Sequence, residues 1–328
     1  MDGVFNRKDL ICTINEERSF SRAARKLFIS QPSLSVLVKK VEDEIGVPLF
    51  DRSCKPLRLT HAGEAYIEAA KKMSLAEKEF LNYVASVNDM SAGSLNIGSN
   101  QLLSTLILPA YISNYIKQYP HIKVDMQDSS SANLEIDLKS GKLDFVLDTA
   151  QLDTALYDCI PLSREQLIIA VPASFEVCER LEPYRLTHDD ILAGKHIYND
   201  VPAVPLGEFA NEPFMLMAKG DEVRRRCDSI FLSQSFHPKC ILETDRHVTL
   251  YQFIQRGTAM SIISDALVCN GWDPKGDMYF FRLASSDATQ RQICLYSKRN
   301  RYRTKAMDAF ISTLLNTDGP FRGGLKII

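Results

Sequence analysis

The sequence predicts an α/β protein in three consecutive parts: a module of short helices closed by a hairpin, one long helix, and a domain built on a parallel sheet. Three observations predict it. Residues 1–60 read as short helices broken at Arg18-Ser19, Ile29-Ser30 and Gly46. From Ala62 onward a heptad seam runs with no Gly or Pro after Gly63. Beyond Leu95, short apolar runs alternate with amphipathic segments in the βαβαβ order of a parallel sheet.

Within the first part the third helix is the best defined. Ser30 is a favourable N-cap, and Pro32 stands in the first turn, where a missing N–H costs nothing. Leu34, Leu37, Val38, Val41 and Ile45 then form one apolar stripe, and Gly46 supplies the stop. The opposite face presents Gln31, Pro32, Ser33, Ser35, Val36, Lys39 and Lys40. A short helix from Ser21 to Leu27 precedes it across a tight turn, which gives the pair helix-turn-helix proportions. The Pro-containing stretch Val47 to Thr60 suits a hairpin.

In the long helix Ala62, Tyr66, Ala69, Met73, Ala76, Phe80, Tyr83 and Val87 alternate spacings of four and three, over roughly 39 Å. So extended a stripe faces another long helix, although a core helix of one chain has the same pattern. Asn88 to Ser94 reads as a hinge.

The third part opens with strand Leu95–Gly98, helix Ser104–Gln118, strand Lys123–Gln127, helix Ala132–Gly141 and strand Phe145–Leu147. A second set follows: strands Gln166–Val171 and Phe214–Met217, helix Glu222–Ser235, strand Cys240–Glu243, helix His247–Arg256 and strand Ala259–Ile263. Strand Gln292–Ser297 and helix Thr304–Leu315 close the chain.

Composition narrows the function. The 328 residues suit two or three domains, and the formal charge of -2 is unevenly spread. Residues 1–60 hold eleven Lys/Arg against eight Asp/Glu, and from Arg18 to Lys40 six basic residues occur with no acid. The eight cysteines have no C-x-x-C pair, and the six histidines are dispersed, so no metal and no cofactor is expected. No nucleophile-and-base motif or phosphate loop is present, which argues against an enzyme. No signal sequence or apolar run of membrane-spanning length is seen, so a cytoplasmic protein with no membrane partner is expected. The basic run Lys298 to Arg303 reads as a solvated face.

The run SFSRAARKLFISQPSLS from Ser19, continuing as EDEIGVPLFDR from Glu42 to Arg52 and LTHAGE from Leu59 to Glu64, closely resembles the signature of LysR-type transcriptional regulators. Weaker echoes follow in Leu108-Pro109, in KSGKLDF from Lys139, in Glu212-Pro-Phe, in Gly220-x-x-x-Arg224 and in QRGTAMS from Gln255. The resemblance implies a winged helix-turn-helix DNA-binding domain (1–60), a dimerisation helix (61–87) and a hinge (88–94). It further implies an effector domain of two subdomains similar to periplasmic binding proteins, the first formed by 95–165 and 269–328, the second by 166–268. Expected partners are double-stranded DNA, a small-molecule effector, further copies of the chain as a homodimer or homotetramer, and RNA polymerase. The chain departs from the family pattern at Arg18, where Gly is frequent, so Arg18 adopts a left-handed backbone or the turn differs. Val36 replaces a frequent Arg or other polar residue. The stretch from Gly220 to Arg224 also lacks the Cys of peroxide-sensing members.

For DNA, the candidates for base edges are Gln31, Pro32, Ser33, Ser35 and Val36, with the Gln31 amide suited to adenine and Val36 and the Pro32 ring to thymine methyls. Ser21, Arg22, Arg25, Lys39, Lys40, Arg58 and Thr60 suit phosphates. Arg52 suits a minor groove, or else a surface pair with Asp51 or Glu44. For the effector, the loops at the strand C-termini supply Ser99, Asn100, Gln101, Ser129, Ser130, Ser131 and Thr149, opposite Ala203, Arg224, Arg246 and His247. Such a cleft suits a small anion, yet Asp128, Asp148 and Asp245 on the same loops fit a cation or a neutral polar ligand. Two other functions stay open: a thiol sensor using Cys227 and Cys240, and an enzyme with an appended DNA-binding domain.

Overall fold

The computed structural model describes residues 3–54, 56–87, 93–198, 201–270 and 278–316. They divide into two compact units, Met1–Tyr83 and Val84–Ile328.

The first unit contains α1 (Lys8–Glu17), α2 (Phe20–Lys26), α3 (Gln31–Ile45), the antiparallel pair β1 (Phe50–Asp51) and β2 (Arg58–Leu59), and the start of α4 (His61–Val87). Arg18 ends α1 in the left-handed region at φ 48°, the first of the two expected alternatives. Ser30 caps α3, its hydroxyl accepting from the Ser33 N–H at 3.2 Å, and Gly46 ends the helix at φ 82°. Leu34, Val38 and Val41 are buried with Ile11, Ile14, Ala23, Leu49 and Phe50, so the stripe read from the sequence is the core face. At Gly63 an added Cβ would lie 2.0 Å from the Leu49 carbonyl oxygen, so only glycine lets α4 start this close to the wing.

The seam of α4 is not uniform. Tyr66 is buried, stacked on Phe5 at 4.8 Å and donating to the Val4 carbonyl at 2.9 Å, and Ala62 packs on the same core. Met73 and Phe80 are 46% and 63% exposed. One stripe therefore serves two purposes: its first turns close the helical module, and further along Met73 and Phe80 are left uncovered.

The second unit opens with β3 (Gly93–Ser99), α5 (Gln101–Leu106), α6 (Leu108–Gln118), β4 (Ile122–Asp128), α7 (Ser131–Lys139) and β5 (Phe145–Asp148). Strand β3 pairs in parallel with both β4 and β5. Gly93 and Ser94, expected to finish a hinge, instead begin β3, paired with Ile122 and Lys123; Asn88 to Ala92 lie outside the described residues. The single helix expected from Ser104 is two helices, because Pro109 lacks the N–H that would bond the preceding turn and its ring crowds that turn's carbonyl.

Strand β6 (Tyr157–Pro172) is followed by α8 (Val177–Arg180), β7 (Arg185–Leu186), α9 (His188–Leu192), β8 (Pro213–Met217), α10 (Glu222–Ser233) and β9 (Lys239–Thr244). Then come α11 (His247–Gln255), β10 (Ser261–Ser264), α12 (Ala266–Asn270), β11 (Met278–Arg282), β12 (Gln290–Lys298) and α13 (Lys305–Asn316). Strand β6 joins two sets of partners. Tyr157 to Gln166 pair with β12, whereas Leu167 to Pro172 pair with β10 and β11. The sheet order is β4-β3-β5-β12-β6-β11-β7, with β10 also on β6, and β8 and β9 form a separate parallel pair. One core, including Leu95, Tyr115, Phe145 and Phe310, packs on the β3 half; others, including Phe214, Phe281 and Ile168, pack on the β10 and β11 half.

Candidate nucleic-acid interface and ligand cleft

Helix α3 turns one face inward, so its other residues are necessarily outward. Gln31, Pro32 and Ser33 are exposed at its N-terminus, Ser35 is half-buried, and Val36 is 57% exposed. Gln31 Nε2 donates to Ser35 Oγ at 3.1 Å, which holds the amide along the helix. Lys39 and Lys40 are exposed one turn further on, and Ser21 and Arg25 are exposed on α2. Arg58 is exposed on β2, opposite Asp51 in the hairpin register.

Three of the expected phosphate or groove residues have internal work. Arg22 donates to the Glu17 carbonyl from both Nε (3.1 Å) and Nη2, bracing the turn between α1 and α2. Thr60 donates to the Pro48 carbonyl at 2.6 Å and accepts from the Gly63 N–H at 3.0 Å, so its hydroxyl caps α4. Arg52 pairs with Glu42 at 2.9 Å, rather than with Asp51 or Glu44, and lies over the Phe20 ring at 5.1 Å. Glu42 was not among the expected functional residues. Its other oxygen accepts from the Leu49 and Phe50 N–H groups at 2.8 and 3.3 Å, tying the wing to the back of α3.

In the second unit a cavity of about 320 Å³ lies where β3, β4 and β5 end and where α10 and α11 begin. Of the expected residues, Asn100, Gln101, Ser129, Ser130, Ser131, Thr149, Arg246 and His247 line it. Ser99, Ala203 and Arg224 do not. The buried Ser99 hydroxyl donates to the Leu147 carbonyl at 2.7 Å, and the chain at Ala203 runs into Val204, whose N–H donates to the Arg282 carbonyl at 2.9 Å. Arg224 faces β8 and β9, bonded to Asp228, Glu243 and the Met217 carbonyl at 2.7 to 2.9 Å. Consecutive side chains on a helix diverge by about 100°. It is therefore Arg225 and Arg226 that line the cavity, with Asp128, Glu165, Asp221, Glu222 and Asp245.

The positive groups of this cavity are already matched. Arg226 is buried against the buried Glu165 and also donates to the Ala288 and Thr289 carbonyls. Arg225 pairs with Glu222, which also takes Arg291 at 2.7 Å. His247 Nε2 lies 3.2 Å from Asp221; burial alone would raise the Asp221 pKa, but the bond and charge from His247 and the N–H groups of α10 outweigh it and hold the carboxyl below its ordinary value. Arg246 lies 3.9 Å from Asp245, and with the Gln101 amide turned so that its oxygen faces the guanidinium, Nε donates to that oxygen at 3.2 Å and links the two loops across the cavity. Asp148 is also committed, accepting from Asn100, Thr149 and Ala150. Asp128 is exposed and has no ion partner among the described residues.

The cysteines expected of a thiol sensor are a poor match for one. Cys227 is buried in α10, and burial pushes its thiol up to about 12, whereas Cys240 is exposed on β9. Among the described residues no helix is long and apolar enough to cross a membrane.

Comparison with known proteins covers nearly the whole chain. The family described as bacterial regulatory helix-turn-helix protein, lysR family, matches residues 6–64, and the LysR substrate binding domain matches residues 88–318. An uncharacterized HTH-type transcriptional regulator YcgK of Bacillus subtilis is 27% identical over 301 residues, covering 91% of this chain and 90% of its own. A probable RuBisCO transcriptional regulator of Cyanidioschyzon merolae is 23% identical, covering 92% and 93%. Among solved structures, a full-length OxyR variant from Pseudomonas aeruginosa superposes with a TM-score of 0.66 at 19% identity, over 97% of this chain and 96% of the other. Full-length CbnR complexed with its target DNA gives 0.60 at 17% identity, over 94% and 98%.

Proposed function

The chain belongs to the LysR family of DNA-binding transcriptional regulators with an effector-binding domain, and we propose that it reads promoter DNA through α3 as a homodimer or homotetramer. One observation carries the reading: α3 keeps Gln31, Pro32, Ser33 and Val36 outside, with Ser35 at the margin, while its opposite stripe is buried. Those five side chains meet base edges in the major groove. Ser21, Arg25, Lys39, Lys40 and Arg58 meet phosphates, which set affinity and register without sequence information. Arg22, Arg52 and Thr60 chiefly hold the turn and the wing in place for that contact.

Residues 1–60 act as the DNA-binding domain and 61–87 as the dimerisation helix, with a connection at 88–92. Residues 95–165 with β12 and α13, and 166–268 with β11, act as the two subdomains that close on the effector; the expected boundary at 269 moves because β11 pairs with the second half of β6 and with β7. The change of β6 partners at Gln166 and Leu167 supports that division. RNA polymerase is the downstream partner, the compartment is the cytoplasm, and the cleft binds its ligand without turning it over.

The effector is small and polar. Because the cleft's arginines and histidine are matched by its own carboxylates, an oxyanion would have to displace one of them, which favours an amine-bearing or neutral ligand facing Asp128. Thermal-shift screening of the full chain tests this: stabilisation by small amines or neutral polar compounds is expected. Stabilisation only by carboxylates and oxyanions would restore the anion.

A further inference from the structure

Phe28 stands between α2 and α3 in an unusual state twice over. Its backbone lies in the left-handed region at φ 54°, which bulky residues enter at a cost and which Gly, Asn and Asp enter cheaply. Its side chain is 96% exposed, against 57% for Val36 on the neighbouring helix. The turn itself explains the backbone. Leu27 and Ile29 both pack on the core of the helical module, and the Phe28 and Ile29 N–H groups return to the Arg25 and Ala24 carbonyls at 3.2 and 3.0 Å. A chain that buries residues 27 and 29 across so tight a reversal has to turn residue 28 outward. Nothing in the fold asks that residue to be aromatic, since glycine or asparagine would satisfy the same turn without exposing a ring.

The surroundings indicate what the ring meets. Phe28 lies three residues before Gln31, at the end of α3 that leads into the groove. Arg25 on one side and Lys39 and Lys40 along α3 are exposed and have no ion partner among the described residues. An exposed apolar ring three residues from the unpaired Arg25, with Lys39 and Lys40 further along α3, is complementary to the wall of a DNA groove, where deoxyribose and thymine methyls lie between phosphates. We propose that Phe28 is a DNA-contacting and specificity-determining residue, its ring resting on deoxyribose and on a thymine methyl at the edge of the major groove beside the base met by Gln31. The proposal rests on the DNA-binding reading above and adds a residue and a base preference to it. It also accounts for an otherwise unfavourable choice, because strained backbone and exposed apolar surface at one residue are retained where a partner uses them.

The test uses the full-length protein, an operator selected from genomic fragments, and a random duplex. Phe28→Asn should melt no lower than the parent, since Asn suits the left-handed turn, yet bind the operator about tenfold more weakly. Phe28→Leu, which keeps an apolar side chain, should retain most of the affinity. Replacing thymines by uracil one at a time removes only the methyl. The parent should lose affinity at one thymine beside the position read by Gln31, and Phe28→Asn should lose nothing further there. Parent-like operator affinity in Phe28→Asn, identical uracil profiles, or a clear drop in melting temperature would each overturn the proposal. So would normal DNA binding with a changed sedimentation coefficient, which would assign the ring to a protein contact. Failure of the parent chain to prefer any DNA would instead remove the underlying function.

Discussion

Removing the Glu42 carboxylate should release the wing from the recognition helix. One oxygen takes the Leu49 and Phe50 N–H groups, the other takes Arg52, and the side chain is only 10% exposed. Leu49 and Phe50 are buried, so water reaches their freed N–H groups poorly. A hydrogen bond to a charged group contributes about 1.5 to 3 kcal/mol, and leaving a buried donor unmade costs about as much. Glu42→Ala should therefore cost about 2 to 4 kcal/mol locally, whereas Arg52→Ala, at an arginine 48% exposed, should cost about 1 kcal/mol or less. Because the chain has two compact units, the change is read most directly at the amides concerned. Amide hydrogen exchange at Leu49 and Phe50 isolates the effect, with Leu95 in β3 as the internal reference. Exchange at both amides should accelerate by roughly 30-fold or more in Glu42→Ala, corresponding to about 2 kcal/mol. Unchanged protection, or equal damage from Arg52→Ala, would refute the reasoning.

Two further outcomes follow from particular side chains. Met73→Asp with Phe80→Asp should yield monomers in sedimentation, since these exposed positions belong to the uncovered turns of α4; a persistent dimer would place the interface elsewhere. Asp190 caps α9 with Thr187; burial alone would raise its pKa, but bonds from Lys195 and Thr187 outweigh it and hold the carboxyl at about 2, against an ordinary 3.8. A depressed carboxylate stabilises the fold above its unfolded value, so this contribution of about 2 kcal/mol at most is complete above pH 3.8 and disappears as the pH falls towards 2. The deficit of Asp190→Asn in denaturation should accordingly shrink over that window, and a deficit constant with pH would contradict it.

Much of this was legible because local and tertiary demands agree. Ser30, Pro32, the apolar stripe and Gly46 each mark α3 independently, and the βαβαβ opening follows the same logic. Legibility failed where one pattern serves two environments. Tyr66 and Met73 occupy one seam, yet only the first meets its own chain's core, and no spacing distinguishes them. The first half of β6 carries Pro161 and a polar run from Ser163 to Gln166, so it lacks the alternation that marks a strand. At the cleft, the family-like Gly220-x-x-x-Arg224 pattern points to Arg224 among three adjacent arginines, whereas Asp228 four residues on is a sequence signal that Arg224 is paired on its own helix. The Glu42 bond to the wing, seven residues away in the chain, has no sequence periodicity to announce it.

The central claim is that α3 reads base sequence, and the most direct measurement is the affinity of the parent, Gln31→Ala and Arg22→Ala for the selected operator and for random DNA across a salt series. The parent should prefer the operator. Gln31→Ala should lose about 1 to 3 kcal/mol on the operator alone and accept other bases at one position per half-site, whereas Arg22→Ala, which loosens the turn between α1 and α2, should weaken both DNAs alike. Equal losses on operator and random DNA for Gln31→Ala, or no operator preference in the parent, would contradict the account.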